Sequence, residues 1–223
     1  MLKITSLSQT YGKNLILNSI SFSIDTGEIV GLVGENGAGK STLLKTIATL
    51  LPQTEGTLSL HGKSFNKNIK NIRKKIGYVP QEIAVWDEFT VEENMLFFEK
   101  LCPVKKTTEE LRQICLDMNL TKWKEPVNQL SGGMKRKLNL AISLIHNPEI
   151  LLLDEPTVGI DLKSKKEIRS YLQKVAAEKG TMILLTSHDM DEIISSCNRV
   201  LCIGNDSFYK NVLIEAGTNP QLL

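Results

Sequence analysis

Apolar and polar residues alternate in part over the first 24 positions, a pattern that predicts β-strands. The segments LKITSLSQTYG (residues 2–12) and LILNSISFSI (residues 15–24) show this alternation, which is typical of strands with one buried face. They end at Gly12 and at DTGE (residues 25–28), where turn-forming residues cluster. The chain is therefore predicted to begin with β-strands.

Further along, short runs of apolar residues alternate with segments of helical period. The runs are EIVGLVG (28–34), EILLLDEP (149–156) and TMILLTSHD (181–189), and GTLSLHG (56–62) and IGYVPQ (76–81) are further candidate strands. Helical spacing follows Lys40 and is predicted to continue to Leu51, where Pro52 ends the helix, and it recurs from Asp161 to Gly180. Such apolar strands between helices predict a mostly parallel sheet that is covered on both faces.

The region from about residue 82 to 147 has a helical character. Its helical segments are TVEENMLFFEKL (90–101), TEELRQICLDMNL (108–120) and SGGMKRKLNLAISLIH (131–146), and Thr90 is a candidate N-cap with acidic residues in the first turn. We interpret 82–147 as a helical insert, and we assign 1–81 and 148–223 to the core. The basic run KRK at 135–137 is interpreted as a solvated face.

Length, charge and cysteine content narrow the class of protein. The 223 residues carry a net charge of +2 with no basic arm, so nucleic acid is not a predicted partner. The start lacks a signal peptide, and no apolar stretch approaches the roughly 20 residues that span a bilayer. The four cysteines form no CxxC pair, which argues against zinc and for reduced thiols in a cytosolic protein. Work at a membrane would need a separate subunit.

The loop GENGAGKST (residues 34–42) carries the pattern G-x-x-x-x-G-K-[ST] at Gly34, Gly39, Lys40 and Ser41. Glycines let the backbone approach phosphate oxygens closely, and the following helix directs its positive dipole end at the anion. The lysine reaches the β- and γ-phosphates, and the serine hydroxyl is a ligand for Mg²⁺. Chance matches occur in about one chain per hundred of this length, and the strand–loop–helix context makes them rarer still. The loop predicts triphosphate binding.

Polar residues follow three of the predicted buried strands. Asp154 and Glu155 end ILLLDEP, Gln81 ends IGYVPQ, and His188 follows MILLTS. In doubly wound sheets, ligands bind beyond the carboxyl ends of the strands. Asp154 suits Mg²⁺, Glu155 suits a water that attacks the γ-phosphate, Gln81 suits Mg²⁺ and water, and His188 suits the γ-phosphate. The alternatives are turn roles for the acids and Gln81, and a structural histidine.

Tyr11 lies on the first predicted strand pair. Aromatic residues in such positions mostly belong to the core, but an exposed ring could stack on adenine. Both interpretations remain open from the sequence.

At LSGGMKRK (residues 130–137) the motifs identify a family. Together with GENGAGKST, Gln81, ILLLDEP and His188, in that order, this segment resembles the ATP-binding cassette ATPases, and the resemblance extends from Tyr11 to somewhat beyond His188. It implies an α/β fold of the P-loop NTPase class, with a mostly parallel core sheet, an N-terminal antiparallel β subdomain and an inserted helical subdomain. It also implies ATP and Mg²⁺ as cofactors.

The LSGG segment makes physical sense as a second anion site. Ser131, Gly132 and Gly133 open a predicted helix, where hydroxyl and amide donors face outward at a positive dipole end; an ordinary helix cap is the alternative. In the family this motif reaches the γ-phosphate bound to the partner subunit. The resemblance thus implies a head-to-tail homodimer or heterodimer that encloses two ATP molecules.

The resemblance carries further roles to individual residues. Tyr11 would stack on adenine, Ser41 and Gln81 would contact Mg²⁺ with Asp154 in its outer shell, Glu155 and His188 would act at the γ-phosphate, and Asp161 would lie on the loop that links the two sites. The phosphate-binding residues would be Gly34, Glu35, Asn36, Gly37, Ala38, Gly39, Lys40, Ser41 and Thr42. The chain departs from the common LSGGQ at Met134, so a glutamine contact to ribose is missing and Met134 can only pack.

These observations favour the ATPase subunit of a membrane transporter. The sequence of residues 130–161 resembles that of bacterial exporter subunits. This resemblance implies an integral membrane permease as partner. It also implies a location in the cytoplasm, peripheral at the inner face of the cell membrane. Trp86 and Phe89, just after Gln81, would form a groove for a helix of that permease, or else pack within the insert. A soluble cassette ATPase of translation or DNA repair is the alternative, and a nucleotide-binding module without turnover is a third.

Overall fold

The computed structural model describes residues 1–204 and 207–223 and contains two β-sheets. The first sheet has the strand order β2-β1-β4-β5, and every pair in it is antiparallel. Its strands are β1 (Leu2–Tyr11), β2 (Asn14–Ile24), β4 (Glu55–Leu60) and β5 (Lys63–Ser64). The predicted antiparallel N-terminal sheet is confirmed.

Two bulges explain why alternation in β1 and β2 is only partial. Ser6 and Ser19 have φ of +49° and +52°, and the β1–β2 register shifts between Ile4 and Leu7. The amide of Ser6 donates to the hydroxyl of Ser21, and the amide of Ser19 donates to that of Ser8. Serine side chains thus replace the ladder bonds that the bulges remove.

The second sheet has the strand order β10-β9-β3-β8-β7-β6, and all of its pairs are parallel. Its strands are β3 (Ile29–Val33), β6 (Ile76–Val79), β7 (Ile150–Asp154), β8 (Met182–Thr186), β9 (Arg199–Cys202) and β10 (Gln221–Leu222). Every residue of β3, β7 and β8 is buried, as expected for strands covered on both faces. The predicted parallel core is confirmed.

Eight α-helices lie in the described ranges 1–204 and 207–223. They are α1 (Lys40–Ile47), α2 (Phe65–Arg73), α3 (Val91–Leu101), α4 (Thr108–Leu116), α5 (Gly132–Leu144), α6 (Leu162–Lys179), α7 (Met190–Ser196) and α8 (Ser207–Glu215). None of the helices described is long and apolar enough to cross a membrane.

The helix that follows the phosphate loop is shorter than predicted. It ends at Ile47, because Thr49 takes a left-handed φ of +60° and the amides of Leu50 and Leu51 both donate back to the carbonyl of Lys45. Leu50 is exposed although its spacing is helical. The prediction that the helix continues to Leu51 is wrong, since a tight turn closes it four residues earlier, at Ile47.

Capping boxes begin two helices in the 82–147 region. Thr90 accepts from the Glu93 amide, and the Glu93 carboxylate accepts from the Thr90 amide; Thr107 and Glu110 repeat this arrangement. Reciprocal caps satisfy amides that a helix start leaves unpaired. The predicted cap at Thr90 is confirmed.

Successive residues of the parallel strands belong alternately to two hydrophobic clusters, one on each face of the sheet. Leu151 and Leu153 pack with the α3–α6 region, whereas Leu152 packs with α1 and the antiparallel sheet. This division follows from the two-residue period of a strand. The helices of residues 82–147 therefore share a core with the parallel sheet. The boundaries of the helical insert, at residues 82 and 147, stay a prediction.

We expect Leu152→Ala to lower the free energy of unfolding by about 2–5 kcal/mol, because it leaves a cavity at the centre of the sheet. Leu152 is fully buried, whereas Leu15 of β2 is exposed. Leu15→Ala is the matched control and should cost less than about 0.5 kcal/mol. Urea denaturation measures both, and equal costs would contradict the assigned core.

Candidate functional site

A cleft of about 390 Å³ lies where several parallel strands reach their carboxyl ends. It is bordered by residues from the phosphate loop, the N-terminal sheet and the ends of β6, β7 and β8. They are Tyr11, Ile16, Asn36, Gly37, Gly39, Lys40, Ser41, Thr42, Gln81, Glu155 and His188. The fold thus brings together most of the residues that the sequence singled out, although they span 177 positions from Tyr11 to His188.

Close packing fixes the loop between β3 and α1. Gly39 has a φ of +99°, and a Cβ there would lie 2.7 Å from Cδ2 of Leu17. A Cβ at Gly34 would lie 2.2 Å from the carbonyl oxygen of Ile203. Both glycines are required by the backbone and its neighbours, so the loop is held rigidly against β2 and the end of β9.

Lys40 lies over this loop and is buried. Its Nζ donates to the carbonyl oxygens of Gly34, at 2.6 Å, and Glu35, at 3.0 Å. Burial lowers the pKa of Lys40, and the negative charges of Glu155, Asp154 and Glu35 oppose that effect. The ammonium group is therefore pre-positioned where phosphate oxygens would meet the loop.

Glu155 is the centre of the polar contacts in the cleft. Its Oε1 lies 2.7 Å from Nε2 of His188, and its Oε2 accepts from Nε2 of Gln81 at 3.1 Å. Its backbone has a left-handed φ of +50°, which is costly for a residue with a side chain. Side chains that follow β6 and β8 thus both contact the Glu155 carboxylate, which follows β7.

Asp154 lies behind Glu155 and is buried. Its Oδ1 accepts from the Thr186 hydroxyl at 2.9 Å, and the same hydroxyl accepts from the Glu155 amide at 2.9 Å. Asp154 does not border the cleft, whereas the Ser41 hydroxyl and the Gln81 amide do. Hard oxygen ligands suit Mg²⁺. The Ser41 and Gln81 oxygens at the cleft could therefore hold this ion, with the Asp154 carboxylate in an outer position.

Tyr11 ends β1 and is exposed at the edge of the cleft. The core interpretation for this ring is therefore excluded. A ring free on one face can stack on a planar base, and stacking on adenine stays a prediction.

The LSGG segment lies outside this cleft. Ser131 caps α5, where its Oγ accepts from the Met134 amide. A Cβ at Gly133 would lie 2.3 Å from the Ser164 hydroxyl and 3.1 Å from Oδ2 of Asp161. Asp161 in turn caps α6 by accepting from the Ser164 amide. Gly133 therefore lets the starts of α5 and α6 pack closely, while Ser131 and Gly132 stay exposed.

The interpretation of residues 135–137 as a solvated face is wrong. Arg136 and Lys137 are buried; Lys137 pairs with Glu167 of α6, and Lys135 pairs with Asp87 at 2.7 Å. Burial lowers the pKa of Arg136, which the nearby Glu155 carboxylate partly offsets. Lys135 and Lys137 thus join α5 to neighbouring segments, and Arg136 is buried because the helix packs into the core on that side.

Sequence reasoning missed the hydroxyl and carboxyl groups that hold the strand ends. They are Thr186, Thr157, Ser187 and Glu192. Their sequence signal is that each lies within four residues of Glu155 or His188, and short hydroxyl residues are common in such turns. Their partners are set by contacts between separate strands.

Comparisons with known proteins agree with this geometry. The family model described as "ABC transporter" matches residues 17–158, and a model described as an AAA domain matches the overlapping region 122–195. The first match covers more than half of the chain. The chain therefore belongs to the ABC transporter family, and its fold is that of an ATP-binding cassette.

The curated relatives include two bacterial proteins. The linearmycin resistance ATP-binding protein LnrL of Bacillus subtilis is 38% identical over 90% of the chain, and the Nod factor export ATP-binding protein I of Sinorhizobium fredii is 40% identical over 91%. The chain spans 65% and 59% of the lengths of these two relatives.

A solved structure titled as the dimeric post-hydrolysis state of an ATP-binding cassette bound to ADP and Pi is also similar. It superposes with a TM-score of 0.78 at 29% identity, covering 91% of this chain and 94% of the other.

We expect Gly39→Ala to abolish measurable ATP binding. The added Cβ meets Leu17 at 2.7 Å and the left-handed φ becomes strained, so the loop shifts away from the phosphate-binding geometry. Gly62→Ala is the control, because Gly62 also has a positive φ but has open space around its Cβ. Calorimetric titration with ATP should show unchanged affinity for Gly62→Ala; equal losses in both variants would contradict the assigned loop.

Proposed function

We propose that this chain is the ATP-binding and hydrolysing subunit of an ABC transporter, which drives export through a separate membrane subunit. The observation that carries the proposal is the Glu155 carboxylate held by Gln81 and His188 beside the phosphate loop. A general base needs an acceptor oxygen and a fixed orientation, and these contacts supply the orientation.

The residues divide the chemistry of hydrolysis. The loop amides from Gly34 to Thr42 and the Lys40 ammonium bind the triphosphate, with Tyr11 against the base. Ser41 and Gln81, with Asp154 behind them, would hold Mg²⁺, which would supply neutralisation of the charge that develops on the phosphates. Glu155 orients and polarises the attacking water, and His188, beside Glu155, contacts the γ-phosphate.

Completion of the site by a second copy, or by a related subunit, is part of the proposal. Ser131 and Gly132 lie exposed on a capped helix start and do not border the cleft of their own chain. Such a helix start suits a phosphate group. Two chains arranged head to tail would place this cap over the partner's phosphate loop, and Asp161 would lie between the two sites.

We expect Glu155→Gln to lower ATP turnover at least about 100-fold while ATP binding persists, because the amide cannot accept the proton from water. The ATP-bound dimer should then accumulate, and size-exclusion chromatography with light scattering measures it. Retained turnover in this variant would remove Glu155 from its role.

The arrangement of that dimer is tested by mixing two cysteine variants. Asn36→Cys and Ser131→Cys, each made with Cys102 and Cys197 replaced by alanine, should crosslink between copies only with ATP. A crosslink confined to one copy carrying both cysteines would contradict the head-to-tail arrangement.

An aromatic surface supports the permease as partner. Trp86, Phe89 and Phe97, which we call the aromatic patch, have ring centroids 6.0–6.4 Å apart. Trp86 is 53% exposed, and the other two rings are also exposed, which disfavours packing within the helical region as their whole role. Exposed aromatic clusters are typical of protein interfaces.

Hydrogen bonds hold the backbone of the patch, which follows Gln81 closely in the sequence. The fully buried Asn94 accepts from the Trp86 amide at 2.9 Å, and its Nδ2 donates to the carbonyls of Trp86 and Thr90 at 3.0 Å each. Gln81 precedes Trp86 by five residues. A helix bound at the patch would therefore be linked through a short segment to the Glu155 contact, at the inner face of the cell membrane.

We expect Trp86→Ala to weaken association with the membrane subunit by at least about 30-fold, as for a central interface aromatic. Phe208→Ala is the control, since Phe208 is exposed on α8, outside the patch. Quantitative co-purification from detergent-solubilised native membranes measures both. Loss of association in both variants, or in neither, would contradict the patch as the docking site.

A further inference from the structure

A carboxylate outside the ATP cleft joins the two turns that carry Glu155 and His188. The Thr157 hydroxyl, two residues after Glu155, lies 2.7 and 2.8 Å from the two carboxylate oxygens of Glu192. The Ser187 hydroxyl, next to His188, donates to Oε2 of Glu192 at 2.6 Å. We call Thr157, Ser187 and Glu192 the Glu192 clamp.

The clamp is anchored on both sides. Glu192 lies in the first turn of α7, and its amide donates to Oδ1 of the N-cap Asp189 at 3.2 Å. The Asp189 amide donates to Oγ of Ser187 at 3.1 Å, and Lys165 of α6 donates to Oδ2 of Asp189 at 2.9 Å. Thr157 and Ser187 are buried, so these bonds face little competition from water.

His188 lies between Ser187 and Asp189, both members of this network, and its Nε2 is 2.7 Å from Glu155. The turn after β7 and the turn after β8 are adjacent because their strands pair in parallel. Without a link beyond the strand ends, each turn could move independently of the other.

We propose that Glu192 is a positioning residue for ATP hydrolysis, which ties the Glu155 turn to the His188 turn and thereby maintains the contact between these two side chains. This inference rests on the proposed function of Glu155 and His188. Glu192 does not border the ATP cleft, so its effect is on orientation. Small displacements of catalytic groups cost large factors in rate.

Thr157→Val tests the clamp, because it removes the hydroxyl while nearly keeping the shape of the side chain. We expect kcat to fall about 10- to 100-fold, from misplacement of the catalytic pair, while the Kd for ATP changes less than about twofold. Thr157→Ser keeps the hydroxyl and should restore most of kcat. A merely structural role would lower the melting temperature without this split between kcat and Kd.

Thr181→Val is the matched control. Thr157 and Thr181 are each 3% exposed, and the Thr181 hydroxyl donates to the Pro148 carbonyl at 3.3 Å at the opposite end of β8. Its kcat should stay within about twofold of the unsubstituted chain, because the lost bond lies away from the reacting groups. An equal fall in kcat for both valine variants would overturn the proposal.

Ser187→Ala opens the clamp from the other side and serves as a second variant if Thr157→Val does not fold. The double variant should be no slower than the slower single one, because either break frees the two turns. Additive losses would show that the hydroxyls act independently, and would overturn the clamp.

A measurement that does not depend on ATP turnover distinguishes failure of this proposal from failure of the proposed function. The imidazole resonances of His188, one of three histidines in the chain, should shift in Thr157→Val and stay unchanged in Thr181→Val. Unchanged resonances in both variants would overturn the clamp even where hydrolysis is normal. Turnover that survives Glu155→Gln would overturn the proposed function, and the His188 resonances would still test whether the clamp positions His188.

Discussion

The polar contacts at the carboxyl ends of β6, β7 and β8 are the constraint on which the rest of the site depends. Three strands end side by side, and the buried polar groups at their ends, Asp154 and Thr186, must be paired because water has little access to them. Thr186 holds Asp154 and the Glu155 amide, while Gln81 and His188 hold the Glu155 carboxylate. These contacts also fix the orientation of the Glu155 carboxylate.

The phosphate loop depends on close packing in a similar way. Its two most constrained glycines abut Leu17 and the Ile203 carbonyl, so the antiparallel sheet and the end of β9 both support it. Lys40 then lies over the loop, held by two carbonyls and flanked by carboxylates. The loop therefore presents amides and an ammonium group in a fixed geometry, which is the requirement for electrostatic stabilisation of a transferred phosphate.

The two halves of the proposed reaction centre lie in different parts of the chain. Gly133 packs against Ser164 and Asp161, which joins the start of α5 to that of α6, and Lys137 joins the same two helices through Glu167. The exposed LSGG cap is thus rigidly mounted, away from its own cleft. The backbone of the aromatic patch is likewise held by hydrogen bonds from the buried Asn94 side chain. In the proposed assembly, rigid mounting would allow closure of the dimer to be transmitted to the membrane subunit.

The sequence alone determined the fold class, the phosphate loop, and the acids, glutamine and histidine at strand ends. These features are local: period-two and helical patterns, glycine spacing, and polar residues directly after apolar runs. It also predicted the Thr90 cap, because a threonine followed closely by acidic residues is a local signal of a helix start.

Only the tertiary structure decided which of these residues touch. Gln81 and Glu155 are 74 positions apart, and Thr157 and Glu192 are 35 apart, so no local pattern encodes their contacts. Arg136 and Lys137 look solvated from their charge, yet they are buried because α5 packs in the core on that side. The tight turn at Thr49 similarly overrode a helical spacing that continued to Leu51. Local patterns choose elements, whereas burial and pairing between distant strands decide the partners of each side chain.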